Sequence, residues 1–254
     1  MLESAKHLKG DKLRCVDGEL GSVQDFYFDD AHWTTRYLVV DTGNWLSGRS
    51  VLLSPYAITE VRHEDGEIVT SLTKEQIEAS PPLESEKPVS RQFEEDYYGF
   101  FGWPTYWAGP YVWGRYPAIE RDQDQWNLPP LAEEMWDPHL RSTNAIDGYH
   151  IQASDGDIGH VTDFVIDTHS WSIRYMVIDT RNWWPGKHVL IAPKWISRVS
   201  WPDSRVFVTP TRELIKTAPE YVDGTPLNRD YERTLHRHYN QSGYWESETS
   251  TARG

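Results

Sequence analysis

The residue types that most often perform catalysis are scattered along this chain. Cys15 is the single cysteine, and no histidine is placed in sequence to form a dyad with it, so we expect a small buried residue. His236 and His238 have no cysteine or carboxylate at a zinc-ligand spacing, which favours two surface histidines. The stretch SDGDIG, from Ser154, lacks the further oxygen ligands and the closing glutamate of a calcium loop. We therefore predict no metal site, no cofactor and no catalytic residue.

Pairs of carboxylates are the other groups that could act as a general acid and a general base. Glu94, Glu95, Glu133 and Glu134 lie in acidic stretches that we expect to be solvated. The sequence also lacks a nucleophile elbow, a P-loop and a dinucleotide fingerprint. These observations make an enzyme the less favoured class.

Aromatic side chains offer a different chemistry, which is recognition by stacking. Residues 93–116, FEEDYYGFFGWPTYWAGPYVWGRY, hold 11 of the 34 aromatic residues of the chain. Such a run can fill a core, dock a protein, stack sugars or lie at a membrane interface, and packing is the favoured interpretation. Gly99, Gly102 and Gly109 indicate a loop, which leaves room for a partly exposed patch. The candidate partner-binding residues are Trp33, Arg36, Trp45, Trp103, Trp107, Trp171, Arg174 and Trp183.

The net charge of the chain disfavours two classes of partner. It is −14 at pH 7, and no cluster of lysine and arginine reverses it locally, which disfavours nucleic acid and a tight grip on an anionic membrane. The first 13 residues have no apolar core of signal-peptide length, and the apolar runs are too short to span a bilayer. With a single cysteine, these features predict a cytoplasmic protein.

The sequence contains an internal repeat. A shift of 138 residues aligns residues 2–107 with 140–245 without a gap, and 34 of these 106 positions are identical. We therefore predict a first repeat at 1–107, a linker at 108–139, a second repeat at 140–245 and a disordered tail at 246–254. The two repeats are expected to pack face to face as a pseudo-dimer about a pseudo-two-fold axis.

Short strands and tight turns dominate each repeat. Asp17-Gly18 and Asp65-Gly66 predict two hairpins, and Asp155 and Asp203 occupy the aligned turns. The segment 36–41 has apolar residues on both faces, so we expect a strand covered on both sides. Arg36 and Asp41, with their aligned partners, could bind an anion or a partner, but ion pairs at the ends of this strand are favoured. TKEQIEASP, from Thr73, predicts a short capped helix.

Two sequence segments resemble those of a known protein family. DGELGSVQDFYFDD with WTTRYLVVDTGNWLSGRSVLLSP, and their copies in the second repeat, resemble the PRC-barrel domain over about residues 8–72 and 146–210. The resemblance implies a mostly β protein with two small six-stranded β-barrels related by internal duplication. Each barrel would be followed by a short helix and an aromatic-rich segment. It also implies a scaffold and docking surface.

The favoured function is a non-enzymatic binding or scaffolding module that acts through contacts with a protein partner. The aromatic segment 93–116 and the rim around Trp33 and Trp171 would form the binding surface. One alternative is a binder of a small ligand or glycan, less favourably a hydrolase, with its site in a cleft between the repeats. The other is peripheral association with a membrane complex, by analogy with the reaction-centre H subunit that shares this barrel.

Overall fold

The fold is mostly β. The computed structural model describes residues 1–43, 50–81, 89, 91–106, 140–180, 186–225 and 227–246. The strands of the first repeat are β1 (Leu2–Ser4), β2 (Lys12–Cys15), β3 (Gly18–Asp29), β4 (Thr34–Asp41), β5 (Ser50–Leu53), β6 (Ile58–Arg62) and β7 (Glu67–Thr70). Those of the second are β8 (Leu140–Ser142), β9 (His150–Ala153), β10 (Gly156–Asp167), β11 (Ile173–Asp179), β12 (His188–Ile191), β13 (Ile196–Ser200) and β14 (Arg205–Val208).

Few helices accompany the strands. The first repeat has α1 (Ala5–Leu8), α2 (Lys74–Ala79) and α3 (Arg91–Phe101), and the second has α4 (Thr143–Ile146), α5 (Arg212–Lys216) and α6 (Arg229–His238). A single 3₁₀ turn precedes β6 at Pro55–Ala57 and β13 at Pro193–Trp195. The linker predicted at 108–139 lies outside the described residues, as does the predicted tail from residue 247 onward.

The chain forms two compact units. Unit 1 comprises Met1, 5–145 and 166–173, and unit 2 comprises 2–4, 146–165 and 174–254. Unit 1 holds a seven-stranded mixed sheet with the order β5-β4-β3-β2-β7-β6, and the sheet of unit 2 has the matching order β12-β11-β10-β9-β14-β13. The β2–β7 and β14–β9 pairs are parallel. The sequence repeat is thus a repeat of topology.

The seventh strand of each sheet comes from the start of the other repeat. β8 pairs with β3 in unit 1, whereas β1 pairs with β10 in unit 2. The buried carboxylate of Asp25 fixes the segment after β8, since it accepts hydrogen bonds from the Ser142 hydroxyl, the Thr143 hydroxyl at 2.7 Å and the Asn144 backbone N–H at 3.1 Å. Asp163, the residue aligned with Asp25, accepts a hydrogen bond from Ser4. The two repeats have therefore exchanged their first strands.

The close approach of two strands explains why the last position of the D-G-x-L-G motif, Gly21, is a glycine. A Cβ at Gly21 would lie 1.9 Å from the carbonyl oxygen of Asp41, at the end of β4. The aligned Gly159 meets the Asp179 carbonyl in the same way, at 2.1 Å. Only glycine allows β3 and β4, and likewise β10 and β11, to pair at this distance.

Several local predictions are confirmed. Asp17-Gly18 connects β2 to β3, and Asp65-Gly66 connects β6 to β7. Thr73 caps α2 in a capping box with Gln76, and Thr211 caps α5 by accepting a hydrogen bond from the Leu214 N–H. Side-chain oxygens thus satisfy N–H groups that the helix itself leaves free.

The loop predicted around Gly99 and Gly102 was wrong, because this segment is helix α3. Gly102 has φ +66° and follows the last helical residue, where the Trp103 N–H donates to the Tyr98 carbonyl at 3.0 Å. This geometry is a Schellman motif, in which glycine ends a helix and the next residue folds back onto it. The same fold-back follows α6, where Asn240 has φ +52°.

Helix α3 covers one face of β4. Tyr37 and Val39 on that face are buried in a cluster with Tyr97 and Tyr98 of the helix. Leu38, on the opposite face of β4, is also buried. The predicted two-sided burial of this strand is confirmed, and the aromatic segment provides one of its covers.

Candidate functional site

A buried ion pair organises the turn between β3 and β4. Asp29 accepts a hydrogen bond of 2.7 Å from Nε of Arg36 and backbone hydrogen bonds from Ala31 and His32. The Arg36 side chain is 0% exposed, and its guanidinium carbon lies 4.1 Å from the centre of the Tyr106 ring. Arg36 is therefore an interior link between the turn and the aromatic segment. Its ion pair with Asp29 agrees with the favoured interpretation of Arg36 as a strand-end group, whereas its contact with Tyr106 was not predicted.

Charge decides the ionisation of Asp29. Burial alone would raise the pKa of its carboxyl, but the Arg36 guanidinium and the hydrogen bonds from His32 outweigh burial and lower this pKa to about 2. Asp29 is thus ionised at neutral pH. The Asp29 carboxylate is thus fixed by the Arg36 guanidinium on one side and by the backbone N–H groups of the turn on the other.

A second buried network joins α3 to β4. Glu94 is 0% exposed, and its Oε1 accepts hydrogen bonds from the Tyr37 hydroxyl at 3.0 Å and the Tyr106 hydroxyl at 2.7 Å. Burial raises the pKa of both tyrosine hydroxyls well above the ordinary value, so both remain proton donors to the carboxyl group. This chemistry suits a structural clamp.

The second repeat contains a related clamp, in which an arginine replaces the second tyrosine as partner of the glutamate. The Tyr175 hydroxyl donates to Glu232 Oε1 at 2.9 Å, and Glu232 also pairs with Arg229 at 3.0 Å. His236, aligned with Tyr98, lies 2.9 Å from the Tyr175 hydroxyl through Nε2, and its Nδ1 donates to the Ser242 carbonyl at 3.0 Å. Burial lowers the pKa of His236, against the opposing effect of the Ser242 carbonyl.

An aromatic patch, which we define as Phe100, Phe101 and Trp103, lies at the end of α3. Phe100 is exposed, whereas Phe101 and Trp103 also pack against the buried cluster of α3 and β4. Phe100 is 47% exposed, and its ring centre lies 4.9 Å from that of Phe101. Phe101 and Trp103 are half-buried and stack with their ring centres 4.3 Å apart and an angle of 11° between their planes. The Schellman motif positions Trp103 against the helix. The patch is thus presented by a helix that the Glu94 clamp holds rigidly on the sheet.

The aligned face of α6 has a different character. The counterparts of the three patch residues are His238, Tyr239 and Gln241. Tyr239 is buried, with its ring centre 4.4 Å from that of Trp195. At these three positions of α6 the second repeat therefore has no exposed aromatic side chain, although it keeps a buried carboxylate bonded to a tyrosine of the sheet.

The predicted partner-binding residues have different positions in the structure. Trp33 and Trp171 both have positive φ, of 54° and 59°, in equivalent turns; Trp33 is half-buried, whereas Trp171 is buried. Within unit 1 these turns form a reciprocal pair, in which the Thr35 N–H donates to the Trp171 carbonyl and the Ile173 N–H donates to the Trp33 carbonyl. Since Trp171 is buried, as is Arg36, neither is part of a surface, which corrects the prediction for these two.

The other candidate residues divide in the same way. Arg174 is half-buried in unit 2, with its guanidinium carbon 3.8 Å from the centre of the Tyr244 ring. Trp103 belongs to the aromatic patch, but it is half-buried and packs against the buried cluster of α3 and β4. Trp45, Trp107 and Trp183 lie outside the described residues.

Sequence reasoning missed the buried clamp. Glu94 was expected to be solvated and His236 to lie on the surface, and both predictions were wrong, since both side chains are buried. A signal was present. The shift of 138 residues that relates the repeats pairs Glu94 with Glu232 and, likewise, each tyrosine of one clamp with a tyrosine of the other repeat.

Other candidate chemistry finds little support in the residues that the structure describes. Cys15 is buried, as predicted, and burial raises the pKa of its thiol to about 11, which keeps it protonated and unreactive. Among the described residues, no three histidine, cysteine or carboxylate side chains are grouped to hold a metal ion. In the same part of the chain, no helix combines the length and the apolar character needed to cross a membrane.

Comparison with known proteins supports the resemblance to the PRC-barrel domain that the sequence indicates. The model of the PRC-barrel domain family matches residues 4–77, which include strands β2 to β7 and most of α2. No curated protein matches the chain. The family model does not match the second repeat, although the sheet of that repeat has the same strand order as the sheet of the first. Residues 4–77 are therefore a PRC-barrel domain, followed in the same chain by a second sheet of the same topology.

Proposed function

We propose that the protein is a non-enzymatic binding module that contacts a protein partner through the aromatic patch on α3. PRC-barrel domains are often found in protein-interaction modules. One observation carries the proposal: a phenylalanine that is 47% exposed stands beside two stacked aromatic rings on a clamped helix. Aromatic anchors on a rigid support are the usual centres of binding energy in protein interfaces.

The sheets serve this function as scaffolds. We further propose that each six-strand path curls into the small barrel of the PRC family. Register shifts at Val23/Asp25 and Tyr27/Phe28 support this, because bulges bend and twist a long strand such as β3. The apolar residues on both faces of β4 also support it, since one face would line the barrel interior and the other carries α3.

Replacing Phe100 separates binding from folding. Phe100→Ser removes an exposed ring and is expected to change the free energy of unfolding by less than about 1 kcal/mol. Val16→Ser is the matched control, because Val16 is also an exposed apolar residue, at 70%, in the β2–β3 turn. Affinity capture from native lysate with the wild type and both variants tests the proposal.

We expect a stoichiometric protein partner with the wild type and with Val16→Ser, and its loss with Phe100→Ser. A partner that Phe100→Ser retains would contradict the assignment of the surface. The alternatives of a ligand or glycan binder and of a peripheral membrane factor stay predictions.

A further inference from the structure

The solvent-facing sides of α3 and α6 have opposite characters at aligned positions. On α3 this side carries Glu95, Asp96, Gly99 and Phe100, all of them exposed. The aligned residues of α6 are Arg233, Thr234, Arg237 and His238. At these positions an acidic and aromatic set in one repeat corresponds to a basic set in the other, in which Arg233 also pairs with Asp230 at 3.1 Å. Duplication alone would have made the two faces alike.

The two faces also differ in shape, because α3 has a glycine, Gly99, where α6 has a long side chain. Gly99 stands inside the helix, where glycine is unfavourable, and a Cβ built on it would meet no atom within 4 Å. The glycine thus leaves a shallow gap in the helix surface between Glu95 and Phe100. The residue at the aligned position of α6 is Arg237, a long and exposed side chain.

We propose that the outer face of α3 binds the outer face of α6 of a second copy of this chain, with Arg237 placed over Gly99 between Glu95 and Phe100. This inference rests on the proposed function, for which it names the partner. Arg237 would pair with the carboxylate and lie against the phenylalanine ring. Both contacts are favourable for a guanidinium group.

The chain already uses the arginine-on-aromatic contact in its own fold. The guanidinium carbon of Arg198 lies 3.8 Å from the centre of the Phe207 ring, and that of Arg174 lies 3.8 Å from the centre of the Tyr244 ring. The net charge of −14 opposes association of two copies at long range. Salt at physiological ionic strength screens this repulsion beyond about 8 Å but weakens close contacts much less. Association should therefore be observed at physiological ionic strength.

Gly99→Arg is the first test. It places the α6 residue in the gap of α3, which blocks docking and adds a positive charge, yet arginine is a better helix former than glycine. We expect the melting temperature to stay or rise while the dissociation constant of self-association, from sedimentation velocity, increases at least about tenfold. Because the melting temperature does not fall, damage to the fold cannot explain the weaker association. Association equal to that of the wild type would overturn the proposal.

Reversed charges provide the second test. A chain with Glu95→Arg and Asp96→Arg, and another with Arg233→Glu and Arg237→Glu, should each be monomeric alone, since their α3 and α6 faces then repel. Mixing the two restores complementary faces and should restore association. Failure of the mixture to associate would overturn the inference, as would a monomeric wild type at the highest attainable concentration. If the wild type is monomeric but captures another protein through Phe100, only the self-association is wrong and the proposed function stands.

Discussion

The buried pair of Asp29 and Arg36 makes the stability of unit 1 depend on pH in a direction that the structure fixes. The pKa of Asp29 is about 2, against an ordinary value of 3.8. A carboxyl whose pKa is lower in the folded state contributes stability above its unfolded pKa and loses it as the pH falls through the folded value. The difference corresponds to roughly 2 kcal/mol, lost between about pH 5 and pH 2.

Asp29→Asn tests this value. The amide can still accept the turn hydrogen bonds, but the buried Arg36 loses its counter-charge, which costs about 3–5 kcal/mol at neutral pH. Urea unfolding of both proteins across this pH range should show that the difference between their free energies of unfolding narrows by roughly 2 kcal/mol as the pH falls. A difference that stays constant would refute the electrostatic reasoning. As a control, Asp29→Asn with Arg36→Met should recover much of the loss, because no buried charge then remains uncompensated.

Three further substitutions test the scaffold by urea unfolding. Glu94→Leu leaves two buried tyrosine hydroxyls without their acceptor and should cost roughly 2–4 kcal/mol; an unchanged midpoint would show that the clamp contributes nothing. Gly21→Ala forces a Cβ into the Asp41 carbonyl and should cost roughly 3 kcal/mol or more, and near-neutral behaviour would contradict the close approach. Gly99→Ala, in open space on α3, should instead stabilise by about 0.5–1 kcal/mol, and a loss of stability would argue against the open helix face.

Features that depend on near neighbours in sequence could be predicted. The Asp-Gly hairpins and the capping box at Thr73 follow from local backbone chemistry, and the gapless repeat predicts two sheets of one topology. The face-to-face packing of the repeats stays a prediction. The strand exchange could not be predicted, because β8 lies next to its own repeat in sequence. Its place beside β3 depends on backbone pairing and on the buried contacts of Asp25, which join residues distant in sequence.

The errors at the candidate site have a common physical cause. Two glycines close together in sequence, Gly99 and Gly102, are typical of a loop. In the structure Gly99 lies on an exposed helix face and Gly102 ends the helix. Glu94 looked solvated because its neighbours are acidic, whereas its own position faces the sheet and finds two hydroxyl donors. Burial of a polar group depends on partners distant in sequence, and composition does not report these.

Site-specific photo-crosslinking tests the central claim, that the outer face of α3 is where this protein meets its partner. A photoreactive phenylalanine analogue would replace Phe100 in one chain and the exposed Val16 in a control chain, and both would be irradiated in native lysate. We predict that position 100 cross-links to another polypeptide, which includes a second copy of this chain, and that position 16 does not. Equal cross-linking at both positions, or none at position 100, would contradict the account.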